Sequence, residues 1–368
     1  MKRWWLFLSI LSISLMLGGC AGTSLKKTID PTTLMAFPPP PDTTRIQFLR
    51  RFSTSMDIQP PSALDRFLFG GRLLQLEKTI VKPYGITVYK GIVYICDSML
   101  PGLVVVDLKE NTFRLFQPFG QGRLRKPINV THDAAGNIYV TDTRRNQVVM
   151  FSKDLKYIGA LGDKTLRPVD VAIDGDTLWV TDLADRNVEI WSISRQEMIG
   201  EFPPNNSQLP DSIRLFVPYS IALGADGHVY VSDFGQFHIQ EFDRSGRYIR
   251  SYGSLGRSLG QFARPKGIAV DRDGHLYVVD AAFENIQIFD KQGKLLMFFG
   301  GSYEAPGNMY LPAQVALDYD PDDLALFKDY VLPGYRLEYL IFVTNQYGPD
   351  KVSIYGKLTP VPMAAEVE

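Results

Sequence analysis

From about residue 83 to about residue 357 the chain is a succession of short runs in which apolar and polar residues alternate, each run closed by turn residues. Alternation of period two places successive side chains on opposite faces of a β-strand, and turns such as Arg244-Ser245-Gly246 or Lys291-Gln292-Gly293 join neighbouring strands as hairpins. The runs recur in a fixed order. Six units open on Pro, a variable residue, a small or polar residue and then an apolar alternation: Pro83-Tyr84-Gly85-Ile86, Pro127-Ile128-Asn129-Val130, Pro168-Val169-Asp170-Val171, Pro218-Tyr219-Ser220-Ile221, Pro265-Lys266-Gly267-Ile268 and Pro312-Ala313-Gln314-Val315. A second run carries an aromatic residue shortly before an acidic or amide end, as in Tyr139-Val140-Thr141-Asp142, Trp179-Val180-Thr181-Asp182 and Phe342-Val343-Thr344-Asn345. A third run ends on Phe151, Trp191, Phe242, Phe289 or Tyr355, with Val106 in the first unit, and a fourth ends near Gly.

Units of four short strands with a period of roughly 40–50 residues read as blades of a propeller. One blade cannot bury both its faces, but a closed ring can. The space between blades narrows toward the axis, which accounts for Gly85, Ala172, Ala222, Gly267 and Ala316 on the first strand, and it widens outward, where the recurrent aromatics fill it. The sixth unit stops at Lys351-Val352-Ser353-Ile354-Tyr355, and its missing outer strand is expected from residues 45–52 at the other end of the chain, which removes an exposed edge. The predicted fold is an all-β, six-bladed β-propeller of four-stranded antiparallel blades over residues 45–358, closed by an N-terminal strand.

These phased repeats resemble the NHL-repeat family, most closely from Arg264-Pro265-Lys266-Gly267-Ile268 through Asp280 to Phe289-Asp290. The resemblance implies a binding face formed by the loops after each second strand and before each first strand. On this chain that face would carry Arg144, Arg145, Asp185, Arg186, Gln236, Phe237, His238, Phe283, Glu284, Asn285, Tyr347 and Asp350, with Asn129, Asp170, Ser220 and Gln314 near the axis. Arginines, aromatics and amides together suit recognition of a protein or a small polar ligand.

The N-terminus adds an address. Lys2 and Arg3 precede an apolar run from Trp4 to Leu17, and Leu17-Gly18-Gly19-Cys20 follows. The run is shorter than the roughly 20 residues needed to span a bilayer and has the layout of a secretory signal. The tetrapeptide resembles the lipobox of bacterial lipoproteins, which implies cleavage of residues 1–19 and acylation of Cys20, palmitate among the acyl chains. Several chains give stable membrane anchoring where one does not. Ala21, in place of Asp, by the same resemblance points to the outer membrane rather than retention at the inner one. Residues 20–44, with Pro38-Pro39-Pro40-Pro41, read as an extended tether, and residues 359–368 as a disordered tail. Insertions at 53–80 and 319–338 interrupt the period beside the closure. Ser62 is placed to cap a short helix in the first of them.

Charge removes further functions. The 39 Lys+Arg and 40 Asp+Glu give a net charge of -1, which becomes -3 once Lys2 and Arg3 leave with the signal. An exported, near-neutral chain is a poor polyanion binder, so no nucleic-acid partner is expected. Four His and two Cys exclude a disulfide framework and leave little for metal clusters. His228 and His275 fall in turns before second strands and His132 ends a first strand, all far from His238, so three imidazoles do not converge on a metal. The recurrent Asp97, Asp142, Asp182, Asp233 and Asp280 read as caps of backbone amides rather than a carboxylate ring. Asp318-x-Asp320-x-Asp322 matches the first ligands of a calcium loop, but Asp323 and Asp329 depart from the Gly and Glu such a loop needs. Cys96, in an apolar run, reads as a buried small hydrophobe. The expectation is a lipid-anchored, monomeric envelope propeller without cofactor, acting as a non-enzymatic scaffold for an envelope protein or ligand. The alternative is a metal-dependent propeller enzyme of lactonase or lyase type.

Overall fold

The computed structural model describes residues 30–69, 77–203 and 209–361. The expected signal 1–19, Cys20 and residues 362–368 of the expected tail lie outside the described residues, while Thr359 and Pro360, expected in that tail, end the last strand, paired with Arg336 and Tyr335. From Pro83 onward the chain forms six antiparallel blades, the first five of four strands each. Blade 2 shows the pattern. Its inner strand Pro127–His132 pairs with Ile138–Asp142, which pairs with Gln147–Phe151, which pairs with the outer strand Tyr157–Leu161. Each inner strand neighbours the next, and the inner strand of blade 6 (Pro312–Asp318) meets that of blade 1 (Pro83–Tyr89), so the ring is closed.

The core is divided as radial packing requires, into six apolar clusters, one at each blade–blade interface. Between blades 4 and 5, for example, Tyr230, Ile239 and Tyr252 pack against Phe262, Ile268, Val278 and Phe289. The second-strand aromatics Tyr94, Tyr139, Trp179, Tyr230, Tyr277 and Phe342 are all buried, as are Phe151, Phe242, Phe289 and Tyr355. Trp191 is only half-buried. Crowding near the axis is severe: a Cβ on Gly85 would lie 2.1 Å from Asn129 Oδ1, and one on Gly267 would lie 1.9 Å from Gln314 Oε1. Cys96 is fully buried, and burial pushes its thiol well above the ordinary range.

Closure uses the expected strand. β2 (Ile46–Phe52) pairs with Val352–Pro360, Ile46 opposite Lys357 and Phe52 opposite Val352, and becomes the outer strand of blade 6. A further short strand, β1 (Ala36–Phe37), pairs with β2 and makes this a five-stranded sheet. Residues 31–44 therefore depart from the expectation of a tether. Leu34, Met35 and Phe37 pack on the cluster between blades 5 and 6, and Thr44 is buried, its hydroxyl donating to Pro38 O. The apolar residues ahead of the proline run are too few to show a period, yet each finds a hydrophobic neighbour, and the prolines form a turn instead of a spacer.

Both insertions sit at the join. After β2, α1 (Ser55–Ile58) starts at a Thr54–Asp57 capping box and buries Ile58 beside Ile80 in the cluster between blades 6 and 1. Ser62 caps α2 (Ala63–Phe69) with Asp65 answering, while Leu64, Phe67 and Leu68 are exposed. The other insertion forms α3 (Pro321–Ala325), capped by Asp320, and Asp323 on it pairs with Lys109 of blade 1 at 2.8 Å. Asp320 thus serves as a helix cap. No described helix is long and apolar enough to cross a membrane.

Candidate functional site

Every inner strand is bulged just after its Pro, where the register against the second strand slips. The bulge turns the second residue after the Pro toward the axis, so Gly85, Asn129, Asp170, Ser220, Gly267 and Gln314 form one layer. The sequence-predicted axial residues thus come together, but with one another. Asp170 Oδ2 accepts from Ser220 Oγ (2.6 Å), Ile221 N (3.0 Å) and Gln314 Nε2 (3.3 Å), and its Oδ1 accepts from Val171 N (2.7 Å). Asn129 Oδ1 accepts from Val130 N, and Gln314 Oε1 from Val315 N. Burial raises the Asp170 carboxyl to about 6 against the pull of these donors.

Asp170 and Gln314 belong to blades 3 and 6, which stand opposite each other, so their hydrogen bond spans the axis. A second contact spans it on the mouth side. Tyr84 of blade 1 and Tyr219 of blade 4, each the residue after its Pro, have ring centroids 5.7 Å apart. Lys266, at the equivalent place in blade 5, is buried with Nζ 5.6 Å from the Tyr84 ring and 3.0 Å from Gln346 Oε1. Burial, with Arg264 and Lys82 nearby, lowers its ammonium to about 8. On the far side of the polar layer lies a cavity of about 310 Å³ lined by Thr87, Asn129, His132, Asp170, Gln314 and the apolar residues of the inner strands. His132 Nδ1 is 2.8 Å from Thr87 Oγ1, and burial depresses this imidazole to about 4, so it is neutral at pH 7.

The rim residues divide into two kinds. Three of them hold entering loops, Arg145 and Gln236 that of their own blade and Glu284 that of the next. Arg145 Nη1 donates to Gln121 O and Arg123 O, both at 2.8 Å; Gln236 Nε2 donates to Asp211 O (2.7 Å) and Arg214 O (3.0 Å); Glu284 Oε1 accepts from Leu311 N (3.1 Å). His238 is half-buried beside Gln240 at 3.0 Å, and burial lowers its pKa. Arg144 and Arg186 are exposed, Tyr347 is partly exposed under Lys82 Nζ at 5.1 Å, and Phe237 stacks toward Phe234 at 6.2 Å.

The recurrent aspartates organise this face. Asp142 accepts from Arg125 N and Lys126 N ahead of the inner strand and from Arg144 N and Arg145 N after the second. Asp97, Asp233 and Asp280 do the same in blades 1, 4 and 5. Each carboxylate therefore fixes the backbone of the residue just before the Pro. In four of the six blades that residue is basic: Lys82, Lys126, Arg167 and Arg264. Lys126, Arg167 and Arg264 are exposed and Lys82 half-buried, which places a broken basic ring around the mouth. Sequence reading missed Tyr84, Tyr219, Lys266 and this ring. Their signal was present, in the two positions flanking the repeated Pro.

Comparison with known proteins agrees with the architecture. The NHL repeat family model matches residues 262–289, from the loop entering blade 5 to the end of its third strand. No curated protein matches the sequence. Among solved structures the chain is similar to virginiamycin B lyase from Staphylococcus aureus, with 15% identity, TM-score 0.51, and 78% of this chain and 87% of that chain covered. It is similar to a protein of unknown function from Bacteroides thetaiotaomicron (17% identity, TM-score 0.57, 76% and 70% covered) and to a gluconolactonase from Xanthomonas campestris (17% identity, TM-score 0.50, 76% and 86% covered). At these identities the likeness is one of fold. The chain is a six-bladed β-propeller that carries an NHL repeat.

Proposed function

We propose that this chain is a lipid-anchored propeller of the bacterial cell envelope that acts as a non-enzymatic scaffold, holding an acidic partner protein against its mouth face. The observation that carries the reading is the seal across the axis. Tyr84 and Tyr219 meet from opposite blades, and the Asp170–Ser220–Gln314 layer beneath them is hydrogen-bonded to itself. A mouth closed in this way at the axis offers a broad face rather than an open channel. Its exposed cations, Lys126, Arg144, Arg167, Arg186 and Arg264, suit a surface of opposite charge, which would steer association and set specificity. Anchoring through acylated Cys20, most simply at the outer membrane, would confine capture to the envelope.

Two experiments test this. A photo-crosslinking residue at Arg144 or Arg167 should yield partner adducts in intact envelopes, while the same residue at Lys153, in the hairpin before the outer strand of blade 2, should not; equal adducts at both sites reject the mouth as the binding face. Cys20→Ser should release the protein from membranes, and persistent membrane attachment contradicts the anchor.

The cavity on the far side favours a second reading, an enzyme of lactonase or lyase type working beside Asp170 and His132. Turnover of gluconolactone that Asp170→Asn and His132→Gln abolish would support it over the scaffold.

A further inference from the structure

Three groups of acidic and histidine side chains bring their donor atoms within 4.8 Å of one another: Asp226–His228–Glu241, Asp271–Asp273–His275 and Asp182–Asp185–Glu189. The first two are satisfied by hydrogen-bond donors. Glu241 takes His228 Nδ1 at 2.6 Å, Tyr252 Oη at 2.7 Å and Arg250 Nε at 3.2 Å. Asp271 takes His275 Nδ1 at 2.8 Å and Tyr339 Oη at 2.9 Å. The third group differs.

Comparison between blades shows how. In blades 1, 2, 4 and 5 the recurrent Asp uses Oδ2 to accept an amide two residues ahead of the Pro: Val81 N, Arg125 N, Phe216 N and Ala263 N, at 2.6–2.7 Å. In blade 3 the equivalent amide, Leu166 N, donates to Asp163 instead. Asp182 Oδ1 still accepts from Arg167 N and Ala184 N, but its Oδ2, on a residue 1% exposed, has no donor among the described residues. Asn187, opposite Asp182 in the register and equally buried, gives its amide N–H to Glu201 and likewise leaves Oδ1 without a donor.

Blades 2, 4 and 5 place N–H donors where blade 3 places acids. Three residues after the recurrent Asp stand Arg145 in blade 2 and Gln236 in blade 4, each donating to carbonyl oxygens of the entering loop; blade 3 has Asp185. At the third position of the third strand stand Gln240 and Gln287, donating to Arg214 O and Gln261 O; blade 3 has Glu189. Two positions that elsewhere supply donors thus supply carboxylates beside a buried oxygen that lacks a donor. Carboxylates cannot hold loop carbonyls, but a cation shared between them can.

We propose that Asp182, Asp185 and Glu189, with Asn187 Oδ1, form a structural site for a divalent hard cation of the calcium class, which ties blade 3 to its entering loop in place of the side-chain N–H groups used in blades 2, 4 and 5. The donors are all oxygen, three of them carboxylates, which excludes a preference for soft metals, and their irregular placement suits calcium better than the strict octahedron of magnesium. Trp191 Nε1 donates to Glu189 Oε2 at 2.7 Å, which orients the carboxylate and leaves Oε1 for a ligand.

The test uses the full-length protein in non-ionic detergent, stripped with EDTA and titrated calorimetrically with CaCl₂, MgCl₂ and MnCl₂. Wild type should bind one Ca²⁺ per chain, more tightly than Mg²⁺ or Mn²⁺, and melt a few degrees higher when saturated. Glu189→Gln and Asp185→Gln, which install the side chains that blade 4 carries at these positions, should fold in EDTA and lose affinity by about tenfold or more. Tb³⁺ luminescence excited through tryptophan should appear in wild type and weaken in Trp191→Phe while the calorimetric binding remains. Absence of heat and of any melting shift with all three cations overturns the proposal, as does wild-type affinity in both Gln variants. Tighter binding of Mg²⁺ or Mn²⁺ than of Ca²⁺ overturns the calcium assignment.

Discussion

In blades 2, 4 and 5 a buried carboxylate that accepts four amide hydrogen bonds holds the blade's entry to its second-strand turn. Asp280 does so with Ala263, Arg264, Ala282 and Phe283. Asp280→Ala strands those amides in a buried site and should cost about 2–4 kcal/mol in urea denaturation; a loss below about 1 kcal/mol would mean that solvent satisfies them. Arg145 belongs to the same fabric, since its guanidinium braces residues 121 and 123. Arg145→Glu should therefore lower the melting temperature, whereas Arg144→Glu, at an exposed side chain one residue earlier, should not. Glu189 makes a pH prediction. Its folded carboxyl titrates near 7 against an ordinary value of 4.5, so between those values the native chain keeps a proton that the unfolded chain has released. Without metal, stability should fall as pH rises through that window. In EDTA, Glu189→Gln should remove this slope and gain roughly 1–3 kcal/mol over wild type at pH 7.5; parallel pH profiles for the two proteins would show that Glu189 is not the group responsible. The repeat made the Asp staples legible in the sequence. Glu189 was not legible, because its meaning lies in the amide that Leu166 gives elsewhere, a matter of loop conformation.

At the scale of elements, closure by β2 follows from counting. Five units have four runs and the sixth has three, and the alternation in residues 45–52 supplies the fourth. Phe52 is fully buried between blades 6 and 1, so Phe52→Ala should cost about 3–5 kcal/mol. Deleting residues 45–52 should lower the melting of the whole ring as one transition, because it opens the interfaces on both sides of blade 6. A melt in which five blades keep their wild-type transition would show that the ring tolerates an open seam. The short strand β1 escaped sequence reading. Two paired residues have no period, and a proline run looks the same whether it spaces two bodies or turns a chain back on itself.

For the molecule as a whole, the ring sorts chemistry by face. The mouth carries the basic ring and the tyrosine seal, and the far side carries the cavity with His132. Lys126→Glu with Arg167→Glu alters two exposed side chains whose backbones stay held by Asp142 and Asp182. Capture of an acidic partner should fall about tenfold or more and the wild-type complex should weaken as salt is added, while the melting temperature stays unchanged. Undiminished capture by this double variant would place the partner elsewhere.

The sequence by itself determined the number of blades, the strand order within each, the inter-blade aromatics and the closing strand. All of these follow from local alternation and from repetition, which averages out the ambiguity of any single run. Only the tertiary structure decided what the axis and the rim do. Asn129, Asp170, Ser220 and Gln314 are polar residues at the start of inner strands, which suggests a ligand ring, yet Asp170 is bound by Ser220 of the neighbouring blade and Gln314 of the opposite one, 50 and 144 residues away in the chain, and Asn129 bonds the backbone of its own strand. Arg145 and Gln236 are loop residues whose side chains face their own blade's entry. Whether a polar side chain meets solvent, a ligand or its own protein depends on which distant segments share its few ångströms, and in a closed ring that is set only when the last blade meets the first.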